Sequence, residues 1–189
     1  MSIKPINIGV VGVGHLGIHH VKHYTTIPNV NLLGIYDPDV KRSNYVSKKY
    51  KTVAFQSLKK LIQNVDALSI VTPTPNHYKT AKLCIENKKH VFIEKPITVN
   101  LEEANKLLDL SKNNSTIIQV GHIERLNPAL MALEPYYINP KFIEIQRLAP
   151  YTVRGTDVPV VLDKMIHDID FPYLTLLASG GHCQFLIVE

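Results

Sequence analysis

Short runs of Ile, Val and other apolar residues recur along the first 121 residues and alternate with segments of helical pattern. The runs are INIGVV, VNLLGIY, ALSIVT, HVFIEK and STIIQVGH. Near-continuous apolar strands separated by helices are typical of a parallel sheet that is buried on both faces. The alternation therefore predicts a doubly wound α/β domain of Rossmann type. Its coarse order is β1, helix 14–26, β2, helix 39–50, a short β3 near Val53, helix 57–63, β4, helix 76–88, β5, helix 101–112 and β6 ending near Gly121.

Two of these helices have starts that the sequence marks. Ser57 is placed to cap the helix LKKLIQN, and Asn100 followed by Glu103 is a capping box for LEEANKLLDLSK.

The pattern changes after Gly121. The stretch NPALMALEPYYINPKFIEIQRLAPY carries four prolines and one alternating strand, 142–148, and a helical segment follows at roughly 162–178. Residues 1–121 are therefore predicted to form the first domain. Residues 122–189 are predicted to begin a second domain, and the alternation of its strand suggests a sheet with one exposed face.

Composition narrows the class of protein. Hydrophobic residues make up 45% and charged residues 20%, which is ordinary globular composition. No stretch approaches the roughly 18 apolar residues of a membrane span, and the start lacks a signal peptide's apolar block, so we predict a cytoplasmic location without membrane contact. The two cysteines, Cys84 and Cys183, form no paired motif.

The charge also limits the partners. The formal net charge is +5, from scattered lysines without interleaved aromatics, which does not indicate nucleic-acid binding. A mild positive field does favour an anionic ligand such as a dinucleotide or a nucleotide sugar.

The glycine-rich stretch GVGHLG follows the first predicted strand and opens the first predicted helix. Gly12 permits a tight turn, Gly14 lets the backbone approach a pyrophosphate, and Gly17 lets the helix pack on the sheet. The helix amino terminus offers unpaired N–H groups to phosphates. The cofactor-binding residues predicted in this turn are Gly12, Val13, Gly14, His15, Leu16 and Gly17.

Asp37 ends the second strand, twenty residues past Gly17, where a carboxylate can accept hydrogen bonds from the adenosine ribose. A carboxylate there repels a 2'-phosphate, so NAD is predicted, while the nearby Lys41 and Arg42 leave NADP open. An S-adenosylmethionine methyltransferase also uses a glycine-rich first turn and an acidic end of β2. It therefore stays an alternative at this point.

Histidines at positions 15, 19 and 23 are spaced by four and would line one helix face, which raises a metal site as an alternative. No acidic or cysteine ligand accompanies them, and His15 falls in the phosphate turn. His20 and His23 are expected to face solvent. We therefore predict no metal site.

Two further motifs carry chemistry. Lys95, in FIEKPITVN, follows the fifth strand, where a nicotinamide and its substrate would meet, although a lysine after a strand more often faces solvent. In VVLDKMIHDID, Asp163, His167 and Asp170 share one helix face. Asp163 and His167 could be catalytic, and the alternative is that they form an ordinary hydrogen-bonded polar pair without a catalytic role.

These motifs together resemble the glucose-fructose oxidoreductase, inositol dehydrogenase and related sugar dehydrogenase family, also called Gfo/Idh/MocA. The matching elements are the GxGxxG turn, EKP at residues 94–96, and the D-x-x-x-H spacing of Asp163 and His167. The resemblance implies a Rossmann domain followed by an α/β open-sheet substrate domain, of which residues 122–189 would be the truncated start. In the family this large open sheet closes over the substrate and often mediates oligomers, so a homo-oligomer is expected.

The resemblance also implies roles for individual residues. Lys95, Asp163 and His167 match the family's catalytic lysine, aspartate and histidine. The stretch TPTPNHY matches its cofactor-contacting turn after β4. The cofactor-binding residues implied beyond the glycine turn and Asp37 are Thr72, Pro73, Thr74, Asn76, His77, Glu94 and Lys95.

A narrower likeness lies in VGHIERLNPA, FIEIQRLAP and RGTDVPVVLDKMIHDID, which are similar to the UDP-N-acetylglucosamine 3-dehydrogenase branch. It implies a sugar or UDP-sugar substrate. The residues implied near its sugar or diphosphate are Arg125, Asn127, Arg147 and Arg154. For each arginine, the alternative to substrate binding is an ordinary ion pair at the surface or between the domains.

The expected function is an NAD(P)-dependent oxidoreductase acting on a secondary alcohol of a sugar. His167 would take the hydroxyl proton, Lys95 would stabilise the developing alkoxide, and Asp163 would orient the substrate or the imidazole. Family members are longer than this chain, so the second domain is expected to be partial. The alternative is a truncated, non-catalytic nucleotide-binding module of the same family.

Overall fold

The computed structural model describes residues 4–132, 135, 144–147 and 183–186. The chain divides into two compact units, Met1–Gly121 and His122–Glu189. Each unit is described by itself.

The first unit is built on a six-stranded sheet in the order β3-β2-β1-β4-β5-β6, and every pair of neighbouring strands is parallel. The strands are β1 Ile6–Val11, β2 Val30–Tyr36, β3 Val53–Ala54, β4 Ala67–Ile70, β5 His90–Ile93 and β6 Ile118–Val120. The chain starts at the centre, winds outward through β2 and β3, and then returns to the other side of β1. The predicted doubly wound fold is confirmed.

Five helices connect these strands. They are α1 His15–Tyr24, α2 Val40–Tyr50, α3 Leu58–Asn64, α4 His77–Glu86 and α5 Leu101–Asn114. The predicted bounds differ from these by two residues at most. Helix α1 ends earlier than predicted because the hydroxyls of Thr25 and Thr26 donate to the carbonyls of Lys22 and His23. Helix α5 runs further, to a left-handed Ser115 at φ 52°.

Side chains at the predicted caps hold the first turns of α3 and α5. The Asn100 carboxamide oxygen accepts a hydrogen bond from the Glu103 N–H at 2.9 Å, and the Ser57 hydroxyl accepts one from the Lys60 N–H at 3.3 Å. Such caps stabilise a helix by about 1 kcal/mol each. Both predicted helix starts are confirmed.

The hydrophobic core lies on both faces of the sheet, because successive strand residues point to opposite sides. Val10 packs with Val21 of α1 and Val46 of α2 in one cluster. Its neighbour Val11 belongs to a second cluster, which also contains residues of α3, α4 and α5 such as Leu107. Burying each such side chain contributes about 1.5–3 kcal/mol. The near-continuous apolar runs are thus explained by burial on two faces.

The second unit begins with a 3-10 helix, Ile123–Leu126, and the short helix α6, Pro128–Met131. Strand β7, Glu144–Arg147, pairs antiparallel with β8, Cys183–Leu186. The strand predicted at 142–148 contains β7. The helix predicted at 162–178 lies outside the described residues. Among the residues that are described, no helix has both the length and the hydropathy to cross a membrane.

The reactivity of Cys84 in α4 is a probe of how well the core excludes solvent. Burial raises the pKa of its thiol from 9.0 to about 12, and the side chain is fully buried. Because the thiolate is the reactive form, we expect a thiol reagent to modify Cys84 only when the domain unfolds. Labelling of a Cys183→Ser variant, followed across increasing urea, should track the unfolding transition. Fast labelling without urea would contradict this packing.

Candidate functional site

The carboxyl ends of the strands define one edge of the sheet. Val11 is in register with Tyr36 on one side and with Ile70 on the other. Ile70 is in register with Ile93, the last residue of β5. The loops after these strands therefore start side by side, on either side of the point where the winding of the chain reverses. Open α/β sheets bind ligands at this place.

The glycine turn after β1 leaves no room for side chains at two of its three glycines. Gly12 has φ +86°, and a Cβ there would lie 2.6 Å from the Val71 carbonyl oxygen. A Cβ at Gly17 would lie 2.0 Å from the Gly12 carbonyl oxygen, so α1 could not pack so closely on the turn. Both positions are glycine because the backbone itself is in contact there.

Gly14 is different, because a Cβ built on it meets no atom within 4 Å. The space in front of it lies at the amino terminus of α1, which begins at His15. The first N–H groups of a helix have no preceding turn to bond to, and they favour an anion. The fold does not need glycine at position 14, but a pyrophosphate lying against the backbone does. The turn therefore fits a dinucleotide.

Asp37 anchors this turn to the end of β2. It is 6% exposed, and its two oxygens accept hydrogen bonds from the N–H groups of Val13 at 2.8 Å and Asp39 at 2.9 Å. Arg42 approaches Asp37 at 3.7 Å and Asp39 at 3.4 Å. Val13 is fully buried, and its N–H is used by Asp37.

The turn after β4 contributes Thr72, Pro73 and the 3-10 helix Thr74–Asn76. Pro73 and Asn76 are exposed, whereas Thr74 is buried. The Thr72 hydroxyl is buried without a hydrogen-bond partner among the described residues. Since Thr72 adjoins Gly12, this edge of the sheet keeps an unused polar group close to the glycine turn. The predicted cofactor residues of the two turns are thus neighbours.

His77 is used inside the protein. It is 1% exposed, with Nδ1 2.8 Å from the Pro96 carbonyl oxygen and Nε2 2.7 Å from the Thr72 carbonyl oxygen. Both ring nitrogens are thereby occupied within the protein, and a cofactor-binding role of His77 stays a prediction. His77 joins the loop after β4 to the loop after β5.

His20 does not face solvent, and that expectation was wrong. Its Nδ1 lies 2.9 Å from the Ser69 hydroxyl, and its Nε2 lies 3.0 Å from the Glu94 carboxylate. The ring also packs on Phe92, with centroids 5.6 Å apart. The missed signal was helical spacing, because His20 lies three residues after the buried Gly17 and so shares its inward face.

Tyr24, one helical turn after His20, joins the same polar cluster. Burial raises the pKa of its hydroxyl, its hydrogen bond with Ser69 lowers that pKa, and the negative charge of Glu94 raises it. Tyr24 therefore stays neutral and can act as a hydrogen-bond donor at physiological pH.

Glu94 and Lys95 follow β5 at the same edge of the sheet. The Glu94 carboxylate is 12% exposed and also accepts a hydrogen bond from the Lys95 N–H at 3.3 Å. Lys95 is half-buried, and its peptide bond to Pro96 is cis. Lys95 thus follows its strand at the same edge of the sheet as the glycine turn, Asp37 and Thr72. That these residues surround one ligand stays a prediction.

The remaining predicted residues lie in the second unit. Arg125 is exposed in the 3-10 helix, and the Asn127 side chain accepts a hydrogen bond from the Ala129 N–H at the start of α6. Arg147 is in β7, where only the backbone is described. Arg154, Asp163 and His167 lie outside the described residues. Their roles stay predictions.

The histidines of α1 were weighed as metal ligands. His15, His19 and His23 are exposed, and the rings of His15 and His19 lie 5.6 Å apart. In the described part of the chain, no group of three or more His, Cys, Asp or Glu residues could hold a metal ion.

Comparison with known proteins identifies the family. Residues 6–122 match the Gfo/Idh/MocA model, described as an oxidoreductase family with an NAD-binding Rossmann fold. The chain belongs to this family. This Gfo/Idh/MocA chain therefore has an NAD-binding Rossmann domain, and the methyltransferase alternative is excluded.

Among curated relatives, a UDP-N-acetylglucosamine 3-dehydrogenase from Acidithiobacillus ferrooxidans is 39% identical over 92% of this chain and 54% of its own length. A solved structure of that enzyme superposes with a TM-score of 0.82 at 37% identity, over 89% of this chain and 56% of the other. The chain spans about half the length of the curated relatives it matches.

A second solved relative carries ligands. The scyllo-inositol dehydrogenase from Lactobacillus casei with bound NAD(H) and scyllo-inositol has a TM-score of 0.66 and 25% identity, over 70% of this chain and 40% of the other. The family resemblance expected from the motifs is confirmed.

Alanine at two of the glycines separates folding from cofactor binding. Gly17→Ala places a Cβ against the Gly12 carbonyl oxygen, so we expect the Tm to fall by about 5 °C or more. Gly14→Ala should change the Tm by less than about 3 °C and weaken NADH binding about tenfold, because the Cβ fills only the space for the phosphates. Thermal unfolding and NADH fluorescence titration measure the two effects. Equal NADH affinity of Gly14→Ala and the wild type would contradict this site.

Asp37 should decide between NAD and NADP. Asp37→Ser removes a negative charge and the acceptors for a ribose, so we expect about 10-fold to 100-fold weaker NAD binding and a higher ratio of NADP to NAD affinity. Asp39→Ser is the matched control, because serine can still cap α2 and the change spares Asp37. Titration of each variant with both cofactors measures the ratio. An unchanged preference in Asp37→Ser would refute the assignment.

Proposed function

We propose that this chain carries the cofactor-binding part of an NAD-dependent dehydrogenase that oxidises a secondary alcohol of a nucleotide sugar. The single observation that carries the proposal is the position of Lys95, which follows β5 at the edge where the glycine turn and Asp37 also lie. The 39% identity to a UDP-N-acetylglucosamine 3-dehydrogenase supports a UDP-sugar as the substrate.

In this proposal NAD, when bound, supplies the hydride acceptor. The amino terminus of α1 binds its phosphates, and Asp37 accepts hydrogen bonds from its ribose. The ammonium group of Lys95 stabilises the negative charge that develops on the substrate oxygen. His167 takes the hydroxyl proton, and Asp163 orients the substrate or the imidazole. Arg125, Asn127, Arg147 and Arg154 contact the sugar or its diphosphate.

The division of labour between the two parts of the chain belongs to the same proposal. Residues 1–121 bind the cofactor, and residues 122–189 begin the substrate domain. The possible homo-oligomer, the cytoplasmic location and the absence of a nucleic-acid partner stay predictions.

The direct test follows NADH formation by the purified chain with NAD and a panel of alcohols. The panel contains UDP-N-acetylglucosamine, UDP-glucose, free N-acetylglucosamine, scyllo-inositol and myo-inositol. We expect turnover with a UDP-sugar and little or none with the free sugars. Turnover confined to the inositols would overturn the nucleotide-sugar assignment. NADH binding without turnover on any compound would instead support the nucleotide-binding module.

Substitutions should separate chemistry from cofactor binding. His167→Ala is expected to lower kcat by about 100-fold to 10,000-fold while the NAD affinity changes less than about twofold, because the imidazole acts only as the base. Asp37→Ala should mainly weaken NAD binding. Steady-state kinetics and NADH titration measure the two effects. The assignment fails if both variants lose cofactor affinity to the same extent.

A further inference from the structure

We propose that His20 and His77 are positioning residues that hold the segment Glu94–Pro96 from two sides and so fix the backbone that carries Lys95. The inference rests on the proposed function in one respect, namely that Lys95 acts on the substrate. The two histidines sit on different elements, α1 and α4, and each contacts a different part of the segment.

On the first side, a chain of polar groups runs from α1 to the Lys95 backbone. The Ser69 hydroxyl lies 2.9 Å from His20 Nδ1, and His20 Nε2 lies 3.0 Å from the Glu94 carboxylate. The other Glu94 oxygen accepts the Lys95 N–H.

The Glu94 partner fixes one hydrogen on the ring. A carboxylate only accepts, so Nε2 of His20 must carry a hydrogen. The hydroxyl of Ser69 can either donate to Nδ1 or accept from it, and in both arrangements the ring is held between Ser69 and Glu94.

On the second side, His77 holds the Pro96 carbonyl. Its two ring nitrogens lie 2.8 Å from the Pro96 oxygen and 2.7 Å from the Thr72 oxygen. Carbonyl oxygens are acceptors only, and a neutral imidazole has a single N–H. The ring therefore lies between two carbonyl oxygens in a site that is 1% exposed, and a hydrogen on Nδ1 donates to the Pro96 oxygen.

The two contacts connect Lys95 to both cofactor-binding turns. His20 lies on the helix whose amino terminus faces the phosphates, and Thr72 belongs to the turn after β4. Loosening either contact should therefore misalign Lys95 relative to bound cofactor while leaving the phosphate turn intact. We expect turnover to suffer more than cofactor affinity, as for a loss of orientation.

The first test needs no variant and no turnover. Long-range 1H–15N correlation spectra of the full chain at neutral pH, with and without NADH, report which ring nitrogens carry hydrogen. We expect a hydrogen on Nε2 of His20 and on Nδ1 of His77, the atoms that face the Glu94 carboxylate and the Pro96 carbonyl oxygen. The lack of a hydrogen on either of these two nitrogens would overturn the proposal.

The second test uses variants that replace one contact at a time. His20→Gln can place an amide donor near the Nε2 position, whereas the shorter His20→Asn reaches only toward Ser69. We expect amide hydrogen exchange of Lys95 to become about tenfold faster in His20→Asn and to stay near the wild-type rate in His20→Gln. His23→Ala, an exposed histidine on the same helix, is the matched control. Equal exchange in both His20 variants would refute the role of the Glu94 contact.

His77→Gln gives the matching test on the other side, because one amide nitrogen cannot reach both carbonyl oxygens at once. We expect faster exchange of Lys95 and an NADH affinity within about threefold of the wild type. Unchanged exchange would refute the role of His77.

Exchange and ring protonation are measured without a substrate, so the positioning role and the proposed function fail separately. Where a UDP-sugar is turned over, His20→Asn and His77→Gln should lower kcat more than they raise the KM for NAD. The reverse pattern would contradict positioning.

Discussion

The parallel pairing of β1 with a strand on each side is the constraint on which the rest of the site depends. Because Val11 is in register with both Tyr36 and Ile70, the chain leaves the sheet at the same level in three neighbouring strands. The ladder continues one residue further, with the Gly12 N–H donating to the Tyr36 carbonyl and the Val71 N–H donating to the Val11 carbonyl. A slip of one residue would turn these side chains to the opposite face.

The turn at this edge is shaped by contacts between backbone groups more than by side chains. Gly17 lies directly against Gly12, and the buried Asp37 carboxylate holds the Val13 N–H. A hydrogen bond to a charged acceptor is worth about 1.5–3 kcal/mol, so Asp37 stabilises the turn itself. The same turn leaves open space before Gly14, where the proposed function places the cofactor's phosphates.

The polar groups buried beside β4 and β5 are unusual for the interior of a doubly wound sheet. Ser69 lies in β4 and Glu94 directly follows β5, where apolar residues are the rule. Each of the two side chains is in hydrogen-bonding contact with a ring nitrogen of His20. Fully satisfied networks of this kind define one arrangement, whereas a partly satisfied one is costly. Buried polar groups thus lie at the point where Lys95 leaves the sheet. Their hydrogen bonds define one geometry there, which apolar packing alone would define less closely.

Sequence by itself determined the fold class and the family. It also placed the glycine turn after the first strand and Asp37 at the end of the second. Periodicity and caps are local, so apolar runs, Ser57 and Asn100 reveal their elements without tertiary information. Only the tertiary structure decided what His20 and His77 do, because their partners are 49 to 74 residues away for His20 and up to 19 residues away for His77. A histidine in a helix looks the same in sequence whether it faces water or a carboxylate. Its role is set by which strand the fold brings opposite it.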